Sequence, residues 1–353
     1  MRMRAELRSV TGPYLDTATY GLPSRATIDV LAGALNSWEL GTARWIDDWD
    51  RAGETARSHF AQIVGRAESE VALAPSAAAG VGHVAWSLAP GSRVLGIDAD
   101  FTSLLYPFLE RARVRKDLVV DLAPAPEVID RLDDAVDLVA VSHVQSATGY
   151  ALDTDALLAR AAESGAQVML DGTQSVGSMA RPRAWATCDY LVVSAYKWLC
   201  CPRGVAFFAV REDRVPSIAS IAGNWRGGED PYGAFYGPDL RLAATARRFD
   251  TPLAWHPWLG AAAALAEFVQ PDMARQHEAS ASLMKQLCAG LGVAATGSQI
   301  VSIALPDPDA AVARLAADGI KAARRADGVR LSVHHYNDEA DIAAVLGSLR
   351  SVL

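Results

Sequence analysis

Between about Glu70 and Arg211 short apolar, β-branched runs alternate with stretches of helical spacing, and this alternation restricts the fold more than any other feature of the chain. EVALAP, RVLGID, DLVVDL, DLVAVSHV, QVMLD, CDYLVVSA and GVAFFAV read as strands. Between them, SAAAGVGHVAWSL, SLLYPFLERARVR and TDALLARAAESG place apolar residues on one helical face. Parallel strands need crossovers of about a dozen residues or more. The pattern therefore predicts an α/β domain with a doubly wound, mostly parallel sheet.

The rest of the chain reads differently. From about Pro216 to Trp258 it is rich in Gly, Pro and aromatics without a period, which marks a long ordered excursion of the functional kind. A helical stretch from Trp258 then leads into QIVSIAL, an Ala-rich helix, GVRLSV and EADIAAVLGSLRSVL, the outline of a small C-terminal α+β domain. With 353 residues, a large and a small domain are expected. Residues 1–30 are assigned to an N-terminal arm and part of the small domain, 31–258 to the large domain, and 259–353 to a linking helix and the small domain.

Charge and cysteine usage narrow the partners. A net charge of -8 argues against nucleic acid or an anionic membrane, which select basic surfaces. No apolar run reaches the roughly 20 residues of a spanning helix, and MRMRAELRSVTGPYLD lacks a signal-peptide core, so a cytoplasmic protein is expected. Cys188, Cys200, Cys201 and Cys288 are too few and irregular for a disulfide scaffold or zinc site, and no HxxxH pair suggests another metal.

Lysine is scarce: Lys116, Lys197, Lys285 and Lys321 stand among 33 basic residues. Lys197 follows the apolar run YLVVSAY, at the carboxyl end of a central strand, where open α/β sheets bind ligands. A desolvated lysine there can lose its proton and attack an aldehyde, as arginine cannot. One strand earlier Asp171 ends QVML, placed to keep a pyridinium nitrogen protonated. Pro75, Ser76, Ala77 and Ala78 join a strand to an Ala/Gly-rich helix, so Ser76 can cap while free N–H groups face an anion.

Together these segments resemble the class V aminotransferase family of fold-type I enzymes that use pyridoxal 5'-phosphate, in its kynureninase-like, isopenicillin-N-epimerase-like and ergothioneine-lyase-like branch. YLDTATYGLP resembles the family's opening segment, SHVQSATG its Thr-Gly strand end, VMLDGTQSVG its Asp-x-x-Gln motif, SAYKWLCCPRGVAFF its lysine motif and VRLSVHHYNDEADI its arginine strand. The resemblance implies that Lys197 forms the Schiff base, Asp171 pairs with the ring nitrogen, Gln174 contacts the ring hydroxyl and Ser146 lies at the cofactor. It further implies that Ser194, Ala77 and Ala78 hold the phosphate and that Phe101 stacks on the ring. Trp225 and Thr251 would serve the neighbouring subunit's phosphate in a homodimer. Arg330 would fork onto the substrate's α-carboxylate.

Departures from the family matter too. Tyr196 replaces the usual histidine and is expected at the phosphate, and Ala78 replaces a common threonine. Only Cys288 follows Trp258, inside a helical pattern, where desulfurases need a mobile cysteine. The expected reaction is β-elimination, a C–S cleavage of an S-substituted cysteine. The alternatives are transamination, epimerisation, or a catalytically inactive binding module.

Overall fold

The computed structural model describes residues 11–233, 235–325 and 327–350. Two helices, α1 (Arg25–Glu39) and α2 (Ala52–Val64), precede a seven-stranded sheet. Its elements follow as β1 (Val71–Ala74), α3 (Ala77–Ser87), β2 (Arg93–Ile97), α4 (Thr102–Arg115), β3 (Val119–Ala123), β4 (Leu138–Ser142) and α5 (Thr154–Ser164). Then come β5 (Gln167–Asp171), the short α6 (Arg183–Thr187), β6 (Tyr190–Ser194) and β7 (Ala206–Val210). The spatial order is β1-β7-β6-β5-β4-β2-β3.

All seven strands coincide with the runs read from the sequence. Side chains alternate between two cores, as the two-residue period of a strand requires. Val139, Val141, Leu191, Val193 and Phe207 face one apolar cluster, while Leu138, Ala140, Tyr190, Val192 and Phe208 face the other. Burial on both faces is why β4, β5 and β6 read as continuous apolar runs. Phe207 stacks on Phe60 of α2 at 4.1 Å between ring centroids, and emptying that contact would cost roughly 3–5 kcal/mol.

The sheet is not wholly parallel. β2 to β6 pair in parallel, but β7 runs antiparallel to both β6 and β1. Its connection from β6 contains no helix, so the chain turns back rather than crossing over. That turn carries Lys197.

The helical stretch after the excursion is two helices, α7 (Trp255–Phe268) and α8 (Met273–Leu291), parted around Pro271, where the ring denies the helix an N–H. Beyond them β8 (Ile300–Ala304), α9 (Pro308–Ala317), β9 (Ala323–Arg325), β10 (Gly328–Ser332) and α10 (Glu339–Leu349) form an antiparallel sheet of order β8-β10-β9 with its helices. Leu15 lies in that core, and its N–H and C=O bond to Lys321 O and Ser332 N. The same arm then reaches the lysine turn, where Gly21 N donates to Tyr196 O at 2.9 Å. A side chain at Gly21 would collide with the Lys197 carbonyl, so only glycine permits this approach. Among the described residues no helix is long and apolar enough to cross a membrane.

Candidate active site

The carboxyl ends of β4, β5 and β6 and the amino ends of α3 and α4 surround a small pocket of about 30 Å³. Ala77, Phe101, Ser146, Asp171, Gln174, Ser194, Tyr196 and Lys197, all singled out from the sequence, line it. Ser103, Ser142 and Thr173 complete the wall.

Lys197 is buried, and burial pushes its amine down to about 8, opposed by the charge of Asp171 and aided by Arg330, Arg325 and Arg203. Its Nζ lies 5.1 Å from the Phe101 ring centroid and 5.9 Å from that of Tyr196. Burial likewise raises the Asp171 carboxyl to about 6. Thr173 N, which donates to Asp171 Oδ1 at 2.8 Å, opposes that rise, while the like charge of Asp100 adds to it. Asp100 accepts from Ser142 N, Ser142 Oγ and Phe101 N, which ties β4 to the start of α4 beside the Phe101 ring.

Gln174 is locked on both ends. Trp198 Nε1 donates to its Oε1 at 2.8 Å, and its Nε2 donates to Ala18 O and to Ser146 Oγ at 2.9 Å. Ser146 leads onward to Arg330, whose Nη1 donates to Ser146 O at 2.9 Å and to Oγ at 3.2 Å. Arg330 is buried, its Nε has no acceptor among the described residues, and burial holds its guanidinium down to about 10. At the opposite end Ser76 caps α3, accepting from Ala79 N, and the first-turn N–H groups of Ala77 and Ala78 have no intrahelical acceptor.

Ala78, Trp225, Thr251 and Arg330 do not line the pocket. Ala78 sits one residue beyond Ala77 on α3, and Arg330 touches the site through Ser146. Trp225 joins Trp45, Tyr232 and Phe235 in an aromatic cluster, and Thr251 N donates to Leu73 O. Thr173 could have been found inside the Asp-x-x-Gln motif. Asp100 and Ser142 carry no signal beyond a turn aspartate and a strand-end serine.

This donor set fits a phosphorylated pyridine aldehyde. Lys197 would hold the aldehyde carbon, Asp171 the ring nitrogen and the α3 amino end the phosphate, a helix terminus being suited to an anion.

Comparison with known proteins gives the family. The chain matches the aminotransferase class-V family over residues 46–324. It is 27% identical over 315 residues to an uncharacterised aminotransferase of Bacillus subtilis, covering 82% of this chain and 80% of that one. It is 29% identical over 250 residues to a kynureninase of Deinococcus radiodurans, covering 67% of this chain and 60% of the relative. In structure it is similar to a cysteine desulfurase of Escherichia coli, with a TM-score of 0.84, 17% identity and coverage of 99% and 97%. A cystine C-S lyase solved with cysteine persulfide gives 0.84, 19%, 96% and 97%. The molecule is a pyridoxal-phosphate-dependent enzyme of fold type I. It belongs to the class-V aminotransferase family.

Proposed function

We propose that this enzyme cleaves the Cβ–S bond of an S-substituted cysteine by β-elimination. The observation that carries the reading is one buried base without a second nucleophile. Lys197 lines the pocket with its amine pushed down to about 8, whereas all four cysteines are buried. Burial pushes the thiols of Cys200, Cys201 and Cys288 up, and Cys288 lies in the small-domain core with Sγ 3.7 Å from Met284 Sδ. None is placed to accept sulfur as a persulfide, the step a desulfurase needs.

Bound in the pocket, pyridoxal phosphate supplies an electron sink for charge developing at the substrate's Cα. Arg330 fixes the α-carboxylate by a charge-assisted fork. The freed Lys197 amine takes the Cα proton, the Cβ–S bond breaks, a Cα–Cβ double bond forms, and the sulfur leaves as a thiolate that gains a proton. Hydrolysis of the enamine gives pyruvate and ammonia. Phe101 and Tyr196 flank the amine and restrict water, and Gln174 with Ser146 sets the polar edge of the pocket. The B. subtilis relative favours a second reading, transamination, in which the proton returns elsewhere on the same carbanion.

A homodimer is part of the proposal. Trp225 and Thr251 stand outside their own pocket, and Trp38, Leu40, Tyr236 and Leu240 expose apolar side chains. With the branch named from the sequence, the residue roles given there for Ala78 and Ser194 remain part of this reading.

Incubation with S-substituted cysteines is expected to release thiol, pyruvate and ammonia in equal amounts. A keto acid with amine transfer, or an inverted Cα without pyruvate, replaces the elimination. Arg330→Ala is expected to weaken amino-acid binding by about 30-fold or more while sparing cofactor absorbance and the affinity for matching amines without a carboxylate. Equal losses in both series would remove Arg330 from that role.

A further inference from the structure

Beside the site two guanidinium groups meet at one hydroxyl. Arg330 Nη2 donates to Thr19 Oγ1 at 2.7 Å, and Arg325 Nη2 donates to the same oxygen at 2.8 Å. Like charges this close are unfavourable unless an anion joins them. Among the described residues one carboxylate answers both: Asp16 Oδ1 lies 3.7 Å from Arg330 Nη2 and accepts no hydrogen bond. The other bond of Arg325 runs from Nη1 to the backbone oxygen of Arg324, at 2.7 Å. Among the described residues Arg325 makes no ion pair.

Its neighbour shows what an ordinary arginine of this strand does. Side chains alternate along β9, and Arg324 pairs outward with Asp309 at 2.8 Å. Arg325 is half-buried and turns to Thr19 instead. Thr19 lines a second, mainly apolar pocket of about 390 Å³ with Tyr20, Ile28, Leu31 and Arg203, and that pocket shares Tyr196 with the lysine pocket. The hydroxyl on which both arginines converge thus belongs to the wall of the space that adjoins the lysine pocket at Tyr196. A third guanidinium, Arg203, lies 5.4 Å from the Tyr196 ring centroid on the same rim.

We propose that Arg325 is a specificity residue that takes a second carboxylate, one on the substrate's side chain, so that the enzyme selects dicarboxylic amino acids such as S-(carboxyalkyl)cysteines. The inference rests on the reading of Arg330 as the α-carboxylate site. With Arg330 so occupied, Arg325, which shares the Thr19 hydroxyl with it and makes no ion pair among the described residues, is the cation beside the α-carboxylate for a side chain that turns past Thr19. A guanidinium presents a planar fork suited to a carboxylate.

The test compares S-carboxymethylcysteine with S-carbamoylmethylcysteine, which has the same shape and no side-chain charge. Affinities are measured calorimetrically on the holoenzyme, with cofactor absorbance and circular dichroism checking each variant. The wild type is expected to bind the carboxylate about 10-fold or more tightly than the amide. Arg325→Gln should bring that ratio close to one, and Arg325→Lys should restore part of it. Arg330→Gln should weaken both ligands and keep the ratio. If Arg325→Gln weakens both ligands equally, Arg325 shares the α-carboxylate and the inference is overturned while the proposed function stands. A wild type without preference overturns it as well. If Arg330→Gln weakens neither ligand, the α-carboxylate placement fails first, and this inference with it.

Discussion

Two clusters of buried charge in this fold are built on opposite terms. In one, three guanidiniums meet three carboxylates. Arg57 forks onto Asp250, Arg226 binds Asp50 and Glu54, and Arg247 reaches Glu54 at 2.7 Å. Tyr232, Trp255 and the Leu73 N–H take up remaining acceptor positions on Asp50 and Asp250. In the other, among the described residues Lys197 makes no ion pair, Arg330 pairs with Asp16 alone at 3.7 Å, and Asp171 is held by one short loop. The first cluster pins the excursion carrying Trp225 to α2 and β1. The second is left short of partners at a strand end, where a cofactor and a substrate can supply them. Buried charges serve structure when they are satisfied within the chain and chemistry when they are not.

The largest effect expected from this contrast is that of Lys197→Ala. Turnover and the absorbance of the lysine Schiff base should both vanish, while the cofactor-free protein unfolds at the same temperature or higher, because the lost amine was desolvated and unpaired. A variant that retains a borohydride-reducible adduct on another lysine would sink the assignment. Asp250→Ala tests the other cluster. It strips Arg57 of its fork and Leu73 N of its acceptor, and should cost about 3–5 kcal/mol in urea unfolding. A loss below about 1 kcal/mol would mean that the network adds little to stability, and the contrast would collapse.

Much of this was legible in the sequence, for physical reasons. A strand covered on both faces must be apolar throughout, so all seven strands announced themselves, and a lysine or aspartate that ends such a run stands out by its cost. The antiparallel turn of β7 was hidden, because a run of apolar residues carries no direction. Helix α1 buries only Thr27 and Ala34 and leaves Val30, Leu35 and Trp38 exposed, so its pattern gave no inward face to read. β9 is three residues long and holds two arginines, a composition that resembles a loop. Thr19 and Arg325 are more than 300 positions apart, so no local pattern could bring them together. Asp50 and Glu54 meet Arg226, and Asp250 meets Arg57, across more than 170 positions, so no local pattern marks them as one network.

The smallest expected effect is the most discriminating, because it asks whether the sparse cluster is strained without its ligand. Burial raises the Asp171 carboxyl to about 6 from an ordinary value near 3.8. Since the folded-state value lies above the unfolded one, the folded chain binds the proton more tightly. The stability this gives is complete below about pH 4 and is lost as pH rises through 6. At neutral pH the ionised carboxylate therefore costs the cofactor-free protein on the order of 1–3 kcal/mol. Asp171→Asn should abolish activity, since an amide cannot hold the ring nitrogen protonated, yet make the cofactor-free protein more stable than wild type above pH 6. The gain should fade as pH falls toward 4, where both chains carry a neutral group at this position. Urea titrations of the two cofactor-free proteins at pH 4.5, 6 and 7.5 measure it. A variant less stable than wild type at pH 7.5, or a difference that does not change with pH, would mean that Asp171 is as well compensated as Asp250, and the two clusters would no longer differ in kind.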